Sequence, residues 1–330
     1  VIIPTLTAGQ KLVECLCSLE RQTLREFDVV IVDNSGKQLA RKTGADRSGA
    51  AILEPAENLG FGAAVNAGFR VSRAPFIAAL NDDTVAHPEW LAALVDAIGQ
   101  RPDAGMCASQ VRLAGSPALD SAGMLISGDG TSKQRGHLES PERFSRAEEV
   151  LLASGSAALY RRAMLDEIGL FDERFFLYCE DTDLGLRARW AGWKCLYVPG
   201  AIVEHHYSRT AGNASPLKAY YVERNRLFVI LKNFPAGMLL RAPFHMAARY
   251  FWHAASIFHG RGSAARFHQD NRGALALAWI AVRAHFAVLG HLRHLWRERR
   301  RIRRAAKIGP REFRRVLARH WITPRQVAAL

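Results

Sequence analysis

Over the first hundred residues, short apolar runs rich in β-branched side chains alternate with stretches whose apolar positions recur at helical spacing. That alternation predicts a parallel sheet covered by helices. Val1 to Pro4 predicts a first strand, and Leu12 to Gln22 a helix with Leu12, Cys15, Leu16 and Leu19 on one face. Further strands are predicted over Phe27 to Val32, Ala51 to Glu54 and Pro75 to Leu80, with a helix over Gly62 to Val71. Each strand runs into polar residues: Thr5, then Asp33-Asn34, then Glu57-Asn58, then Asn81-Asp82-Asp83. Ligands of open α/β sheets sit outside the carboxyl ends of the strands, so these tips are the first place to look for chemistry.

Beyond a helix near Pro88 to Gly99, residues 114 to 146 are rich in Gly and Ser and read as a loop-bearing insertion on the same side. A strand over Ser154 to Tyr160 and a helix over Arg162 to Ile168 follow. A helix over Thr182 to Ala191 has Asp181 near its N-cap and Gly192 just past its end. Trp193 to Val198 and Ala201 to Glu204 predict closing strands, and residues from 216 onward read as helical.

Charge divides the chain. Residues 1 to 217 hold 22 Lys+Arg against 27 Asp+Glu, whereas residues 218 to 330 hold 23 against 4, so the net +14 belongs to the C-terminal third. That third mixes arginines with Trp252, Phe258, Trp279, Phe286 and Trp296, a composition that suits basic amphipathic helices on an anionic membrane surface. A solvated charged face on a helical cap would have the same composition. The Arg-rich run 297 to 304 is accompanied by no nucleic-acid-binding fold, so no nucleic-acid partner is expected. The apolar stretches Leu227 to Ala248 and Gly273 to Gly290 are interrupted by charge, and neither predicts a spanning helix. Five scattered cysteines fit no metal or disulfide spacing and suggest reduced thiols, hence a cytoplasmic protein. The chain opens directly on a strand pattern, so no signal peptide is expected.

Asn81-Asp82-Asp83 places adjacent carboxylates at a strand end, a donor set for Mg²⁺ or Mn²⁺ with phosphate oxygens. A turn that caps the next helix would use the same residues. Glu180, Asp181 and Asp183 put three carboxylates at a helix start, between Phe175-Phe176-Leu177-Tyr178 and an apolar helix. They complement the helix dipole, yet a carboxylate at the rim of an apolar wall is also a candidate general base. His205-His206 follows the last strand, and Asn58-Leu59-Gly60-Phe61-Gly62 is a tight strand-to-helix turn.

Taken in order, Ile3-Pro4-Thr5, Val32-Asp33-Asn34, Asn58-x-Gly60 with Asn66, Leu80-Asn81-Asp82-Asp83, Tyr178-x-Glu180-Asp181-x-Asp183, Gly192-Trp193, His205-His206 and Arg224-Asn225 resemble the family 2 glycosyltransferases. The resemblance spans roughly residues 1 to 235 and looks closest to rhamnosyltransferase-like members. It implies an α/β GT-A fold, with a mixed, mainly parallel sheet and a C-terminal helical basic extension. A catalytic domain would occupy 1–215, its nucleotide-binding part about 1–110 and its acceptor part about 111–215, with a membrane-associating helical region over 216–330. It further implies sugar transfer from a nucleotide-sugar, dTDP-L-rhamnose being the first candidate, to a polyprenyl-linked or polysaccharide hydroxyl at the inner face of a membrane. By this resemblance Thr5, Asp33, Asn34, Asn58, Gly60, Asn66, Asn81 and Asp82 would bind or shape the nucleotide-sugar site. Asp83 and His205 would hold a divalent cation, Mg²⁺ or Mn²⁺, with His205 preferred to His206. Asp181 would be the catalytic base, while Glu180 and Asp183 would orient the acceptor or cap the helix. A nucleotidyltransferase, or an inactive scaffold retaining the fold, are the alternatives; oligomeric state is left open.

Overall fold

The computed structural model describes residues 1–45, 49–206, 215–258 and 273–329; the Phe258 side chain lies outside the described residues. Strands β1 (Ile2–Thr5), β2 (Val30–Asp33), β3 (Ala51–Leu53) and β4 (Phe76–Leu80) alternate with helices α1 (Gln10–Glu20), α2 (Leu39–Lys42) and α3 (Phe61–Val71). There follow β5 (Thr84–Ala86), α4 (Trp90–Gly99), β6 (Ala104–Leu113), β7 (Leu119–Ser121), β8 (Met124–Ile126), β9 (Ser132–Gln134), β10 (Glu148–Val150) and β11 (Ala157–Arg161). Then come α5 (Arg162–Ile168), α6 (Glu180–Trp190) and β12 (Lys194–His205).

The main sheet has the order β10-β12-β6-β11-β4-β1-β2-β3, with β5 on β12 and β7 on β6. β1, β2, β3, β4, β6 and β12 run the same way, so the tips carrying Thr5, Asp33, Asn81 and His205 lie at one edge of the sheet. Strand periodicity sorts side chains onto two cores. Ile2, Val30, Val32 and Ala79 pack on one face, while Ile3, Ile31, Ala78 and Leu80 pack on the other against Leu12, Cys15, Leu16 and Leu19 of α1.

Three expectations are corrected. The stretch read as a loop-bearing insertion, 114 to 146, is more regular than expected and contains β7 and the β8–β9 hairpin. The two closing strands are one strand, β12, whose register against β6 shifts between Val198 and Ile202. The acidic helix begins at Glu180 with Cys179 as its N-cap, so Asp181 lies in the first turn.

Past β12 the chain is helical: α7 (Pro216–Asn233), α8 (Ala236–Leu239), α9 (Ala242–Phe258), α10 (Gly273–Leu289), α11 (Leu292–Ala305), α12 (Pro310–Arg319) and α13 (Pro324–Ala329). α7 begins where the expected boundary at 215/216 falls, yet a third core joins Phe175, Leu186 and Trp190 to Phe228, Phe234, Leu295 and Phe313. Trp190 is its keystone. The indole stacks on Phe313 with centroids 4.0 Å apart, carries the Arg303 guanidinium 3.5 Å from its centroid, and donates to the Asn233 carbonyl at 2.9 Å. Among the described residues no single helix is long and apolar enough to cross a membrane.

Trp190→Ala removes this anchor and is expected to destabilise the whole chain by about 3–5 kcal/mol. Thermal unfolding followed by circular dichroism, with limited proteolysis, checks this. Loss of the C-terminal helices around an unchanged N-terminal melt would contradict a shared core.

Candidate active site

The tips of β1, β4, β6 and β12 open onto a cleft of about 1300 Å³, whose opposite wall is the start of α6 and one side of α7, α9 and α10. On the sheet side, the Thr5 hydroxyl donates to Asp82 Oδ2 at 2.6 Å and accepts the Ala8 N–H at 3.0 Å. Burial and the adjacent Asp83 push the Asp82 carboxyl up to about 6, although the Thr5 bond opposes them. Asn34 donates to the Gly60 carbonyl at 3.2 Å, and its buried Oδ1 has no partner among the described residues. Asn58 Oδ1 accepts the Gly60 N–H at 2.9 Å, closing an Asx turn at the cleft rim.

Asp83 is buried beside His205, with Oδ1 3.3 Å from Nε2, while Nδ1 of the same ring lies 2.9 Å from Asp120 Oδ2. Asp120 in turn approaches His137 Nδ1 at 3.4 Å. Burial lowers the basicity of the His205 imidazole, but hydrogen bonds to Asp120 and Asp83 outweigh it and raise the pKa to about 9. Carboxylates that attract a proton to this ring equally attract a divalent cation, which would take the proton's place. The Asp120–His205 bond has the form of the outer carboxylate that orients a ligating imidazole. Among the described residues no three His, Cys, Asp or Glu side chains are set to enclose a metal. A cation held here would therefore need further oxygen ligands from outside these side chains, as Mg²⁺ commonly takes from phosphate groups and water. His206 is exposed, and its backbone N–H donates to the Asp83 carbonyl at 2.9 Å.

Across the cleft, the approach to α6 is strained. Phe176, Tyr178 and Cys179 all have positive φ (62°, 68° and 66°), a region that costs non-glycine residues of order 1–3 kcal/mol each. The reversals turn several carbonyls toward α7. Asn225 Nδ2 donates to the carbonyls of Phe175, Leu177 and Tyr178 at 2.9, 2.8 and 2.7 Å, and Arg224 Nη2 reaches those of Arg174 and Phe175. On the other side Phe61 N–H donates to the Phe176 carbonyl at 2.9 Å, and Gly60 sits so close at φ +82° that a Cβ there would collide with that carbonyl.

The strained turn delivers Glu180 and Asp181 to the cleft. Asp181 Oδ2 accepts the Gly155 N–H at 3.0 Å, and Oδ1 accepts the N–H and hydroxyl of Thr182 at 2.6 and 3.2 Å. Burial raises its pKa above the ordinary carboxylate range in spite of these donors. Glu180 is buried, its Oε2 without a partner among the described residues. Desolvation and the Asp181 charge push its carboxyl up to about 8, so it is largely protonated at neutral pH.

Three expected site residues are not brought to the cleft. Asp183 lies two residues past Asp181, roughly 200° around the helix. It is fully buried among Lys232, Arg187 and Asn233 at 2.8, 2.9 and 2.8 Å, so it ties α6 to α7 and does not orient an acceptor. Asn66 exchanges two bonds with the backbone of Phe171, at 2.9 and 3.0 Å, and braces that loop. Asp33 accepts from Ser35 and Ala40 N–H, at 3.0 and 2.7 Å, and holds α2. Burial raises its pKa, but these donors bring it below the usual value. Sequence reasoning missed Asp120 and Asn225 as individual residues. Arg224-Asn225 was visible as a pair, whereas nothing local marks Asp120.

The open α/β sheet thus places one carboxylate–histidine group at its strand tips, where such sheets take their ligands, and a second, desolvated carboxylate across the cleft. Residues 1–169 match the model of glycosyl transferase family 2, and the chain belongs to that family. It is 31% identical over 252 residues to an N-acetylglucosaminyl-diphospho-decaprenol L-rhamnosyltransferase of Mycobacterium tuberculosis, covering 67% of this chain and 80% of the relative. Its fold resembles that of GalNAc-T7 solved with UDP, GalNAc and Mn²⁺, with TM-score 0.59 and 14% identity, covering 88% of this chain and 57% of that one. It also resembles a mannosyltransferase of Pyrobaculum calidifontis in complex with GDP-Man and Mn²⁺, with TM-score 0.53 and 16% identity, covering 92% and 84%. The chain is thus a family 2 glycosyltransferase of GT-A fold, as the motif order led us to expect, and the nucleotidyltransferase alternative falls away.

Two predictions follow from the strained wall. Asn225→Ala removes three hydrogen bonds from the turned carbonyls and should destabilise the protein by about 2–4 kcal/mol at about 1 kcal/mol per bond. The same displacement of Asp181 should lower kcat about 10²-fold with little change in donor KM. Denaturant titration and steady-state kinetics test both, and an unchanged kcat would show that the clamp is structural only. For Glu180, a folded-state pKa near 8 lies above the ordinary glutamate value. The folded state therefore binds the extra proton, and stability is lost as pH rises from the unfolded value through about 8. Glu180→Gln should raise the melting temperature at pH 8 and lose that advantage toward pH 5. A gap independent of pH would contradict this assignment.

Proposed function

We propose that this protein is an inverting, metal-dependent glycosyltransferase that moves a sugar, with L-rhamnose from dTDP-L-rhamnose as the first choice, to a hydroxyl of a polyprenyl-diphosphate-linked saccharide at the inner face of the cell membrane. The observation that carries this reading is the cleft itself, which has Asp82, Asp83 and His205 on one wall and Asp181 on the other. Support for the donor and the lipid-linked acceptor comes from the mycobacterial relative, whose name specifies both rhamnosyl transfer and a decaprenol-linked substrate. The same cleft continues along Leu217, Val222, Leu277, Ile280, Ala281 and Val327, an apolar wall suited to a hydrocarbon chain.

In this mechanism Asp83 and His205 would hold the divalent cation, with Asp120 fixing the imidazole. When bound, the cation supplies Lewis-acid stabilisation of charge on the departing diphosphate. Thr5, Asn34, Asn58, Asn81 and Asp82 line the space for the nucleoside and sugar, and Asn34 Oδ1, without a partner among the described residues, is available to a donor group on the nucleotide. Asp181 accepts the proton of the acceptor hydroxyl as that oxygen bonds to the anomeric carbon. The bond from this carbon to the diphosphate oxygen breaks, and its electron pair leaves with the nucleoside diphosphate. A single displacement inverts the anomeric configuration. Burial makes Asp181 more basic than a solvated aspartate, and the Gly155 and Thr182 donors keep it aimed. Protonated Glu180 can donate a hydrogen bond to the acceptor.

The test is a panel of sugar nucleotides with Mn²⁺, Mg²⁺ or EDTA, scored for release of nucleoside diphosphate with and without a polyprenyl-diphosphate saccharide. Turnover of one donor should require the metal and vanish in Asp83→Ala. Asp181→Asn should lower transfer roughly 10²- to 10⁴-fold while leaving nucleotide binding intact. An Asp181→Asn enzyme with full activity would overturn the assignment of the base, and metal-independent turnover that of the cation site.

A further inference from the structure

Helix α10 is apolar on two sides. Ile280, Ala284 and Val288 are buried, on the side from which the helix packs along α7. Leu275, Trp279, Val282, Phe286 and Leu289 recur at spacings of four, three, four and three residues and form a second stripe about 21 Å long. That stripe is exposed: Leu275 is 87%, Trp279 62% and Phe286 68% accessible. Helix α9 repeats the arrangement, with Phe244, Ala247, Phe251 and Ala254 exposed at spacings of three, four and three. The two helices meet through Met246 and His285, whose Sδ and Nε2 are 3.3 Å apart. Scattered exposed leucines are ordinary on a protein surface, but two adjoining aromatic stripes are not.

The next helix carries the matching charge. After a bend of 68°, α11 exposes Arg293, Arg297, Arg300 and Arg304 at the same four-three-four spacing, with Trp296 half exposed beside them. Its opposite face is fixed to the catalytic half: Leu295 and Ile302 are buried, Arg299 donates to the Leu231 carbonyl at 3.0 Å and Arg303 to that of Asn233 at 2.9 Å. A helix pinned in this way does not insert end-on. Only four acidic residues occur in 218–330, so a second copy of this face would set arginine against arginine with almost nothing to pair them. Anionic lipid headgroups supply the missing charge, and the acyl boundary accepts the aromatic stripes.

We infer that the exposed faces of α9 and α10, with the arginine face of α11, form a docking surface for an anionic lipid bilayer, on which the protein lies with its helices in the plane of the interface. Ala254 of one stripe, and Leu277 and Ala278 beside the other, also border the catalytic cleft. A docked molecule therefore opens its cleft at the level of the headgroups. This inference goes beyond the reading of the active site and is independent of the donor and acceptor.

The experiment is flotation of the purified chain with vesicles of phosphatidylcholine alone or with phosphatidylglycerol, without any sugar nucleotide. The wild type should bind the anionic vesicles, weaken with added salt, and bind the neutral ones poorly. Trp279→Ser with Phe286→Ser should weaken binding at least about tenfold, the loss expected from withdrawing two aromatic side chains from the interface. Arg297→Gln with Arg300→Gln should weaken it by about fivefold per arginine. Both variants should keep the wild-type melting temperature and metal-dependent donor hydrolysis, which separates failure of docking from failure of the enzyme. Absence of wild-type binding at low salt, equal binding by the variants, or a solution dimer that the Phe286 change dissolves would overturn the inference.

Discussion

The structure depends on one side-chain amide. Asn225 gathers the carbonyls of Phe175, Leu177 and Tyr178 onto a single nitrogen, and these carbonyls converge only because the backbone between them passes through positive φ at Phe176 and Tyr178. Without those bonds the turn would keep its backbone strain, roughly 1–3 kcal/mol per strained residue, and lose the hydrogen bonds that offset it. With them, α6 begins at the one point from which Glu180 and Asp181 enter the cleft while Asp183 enters the core. The clamp also explains why the helical third cannot be treated as an appendage: its first helix holds the catalytic wall in place.

Three carboxylates within four residues end in three different states because their surroundings differ. Asp183 is enclosed by Lys232, Arg187 and Asn233, so its charge is compensated. Asp181 has neutral donors only and becomes a stronger base than a solvated aspartate. Glu180 has neither counter-charge nor a full set of donors and keeps its proton to about pH 8. Across the cleft, Asp83 and Asp120 share His205 and concentrate negative charge where a cation and a diphosphate can meet. In the proposed mechanism, the separation of Asp181 from Asp83 and His205 across the cleft suits proton abstraction and leaving-group stabilisation in one displacement.

Much of this was legible in the sequence. Strand tips ending in Thr5, Asn81-Asp82-Asp83 and His205 were recognisable because they put polar and acidic residues at the ends of buried strands, where open sheets take their ligands, and the acidic start of α6 because its carboxylates follow an aromatic run. The fold and family followed from their order. β6 escaped notice because Ala104–Leu113 mixes small and polar residues and is buried by its neighbours, β11 and β12. Asp33 and Asn66 were misplaced because a side chain that braces a backbone turn has the same composition signal as one that faces a ligand. Asp120 was invisible because it acts only through His205, 85 positions away in the chain.

The central claim is that one cleft holds the cation at Asp83 and His205 and presents Asp181 to the acceptor from the opposite wall. Anomalous diffraction at the manganese edge, on crystals soaked with Mn²⁺ and a nucleoside diphosphate, tests it most directly. The account predicts one strong peak bonded to Asp83 and His205 Nε2 and bridged to the diphosphate, with Asp181 outside the coordination shell. A peak on Asp181 or Glu180, or nucleotide bound with no metal at Asp83, would contradict it.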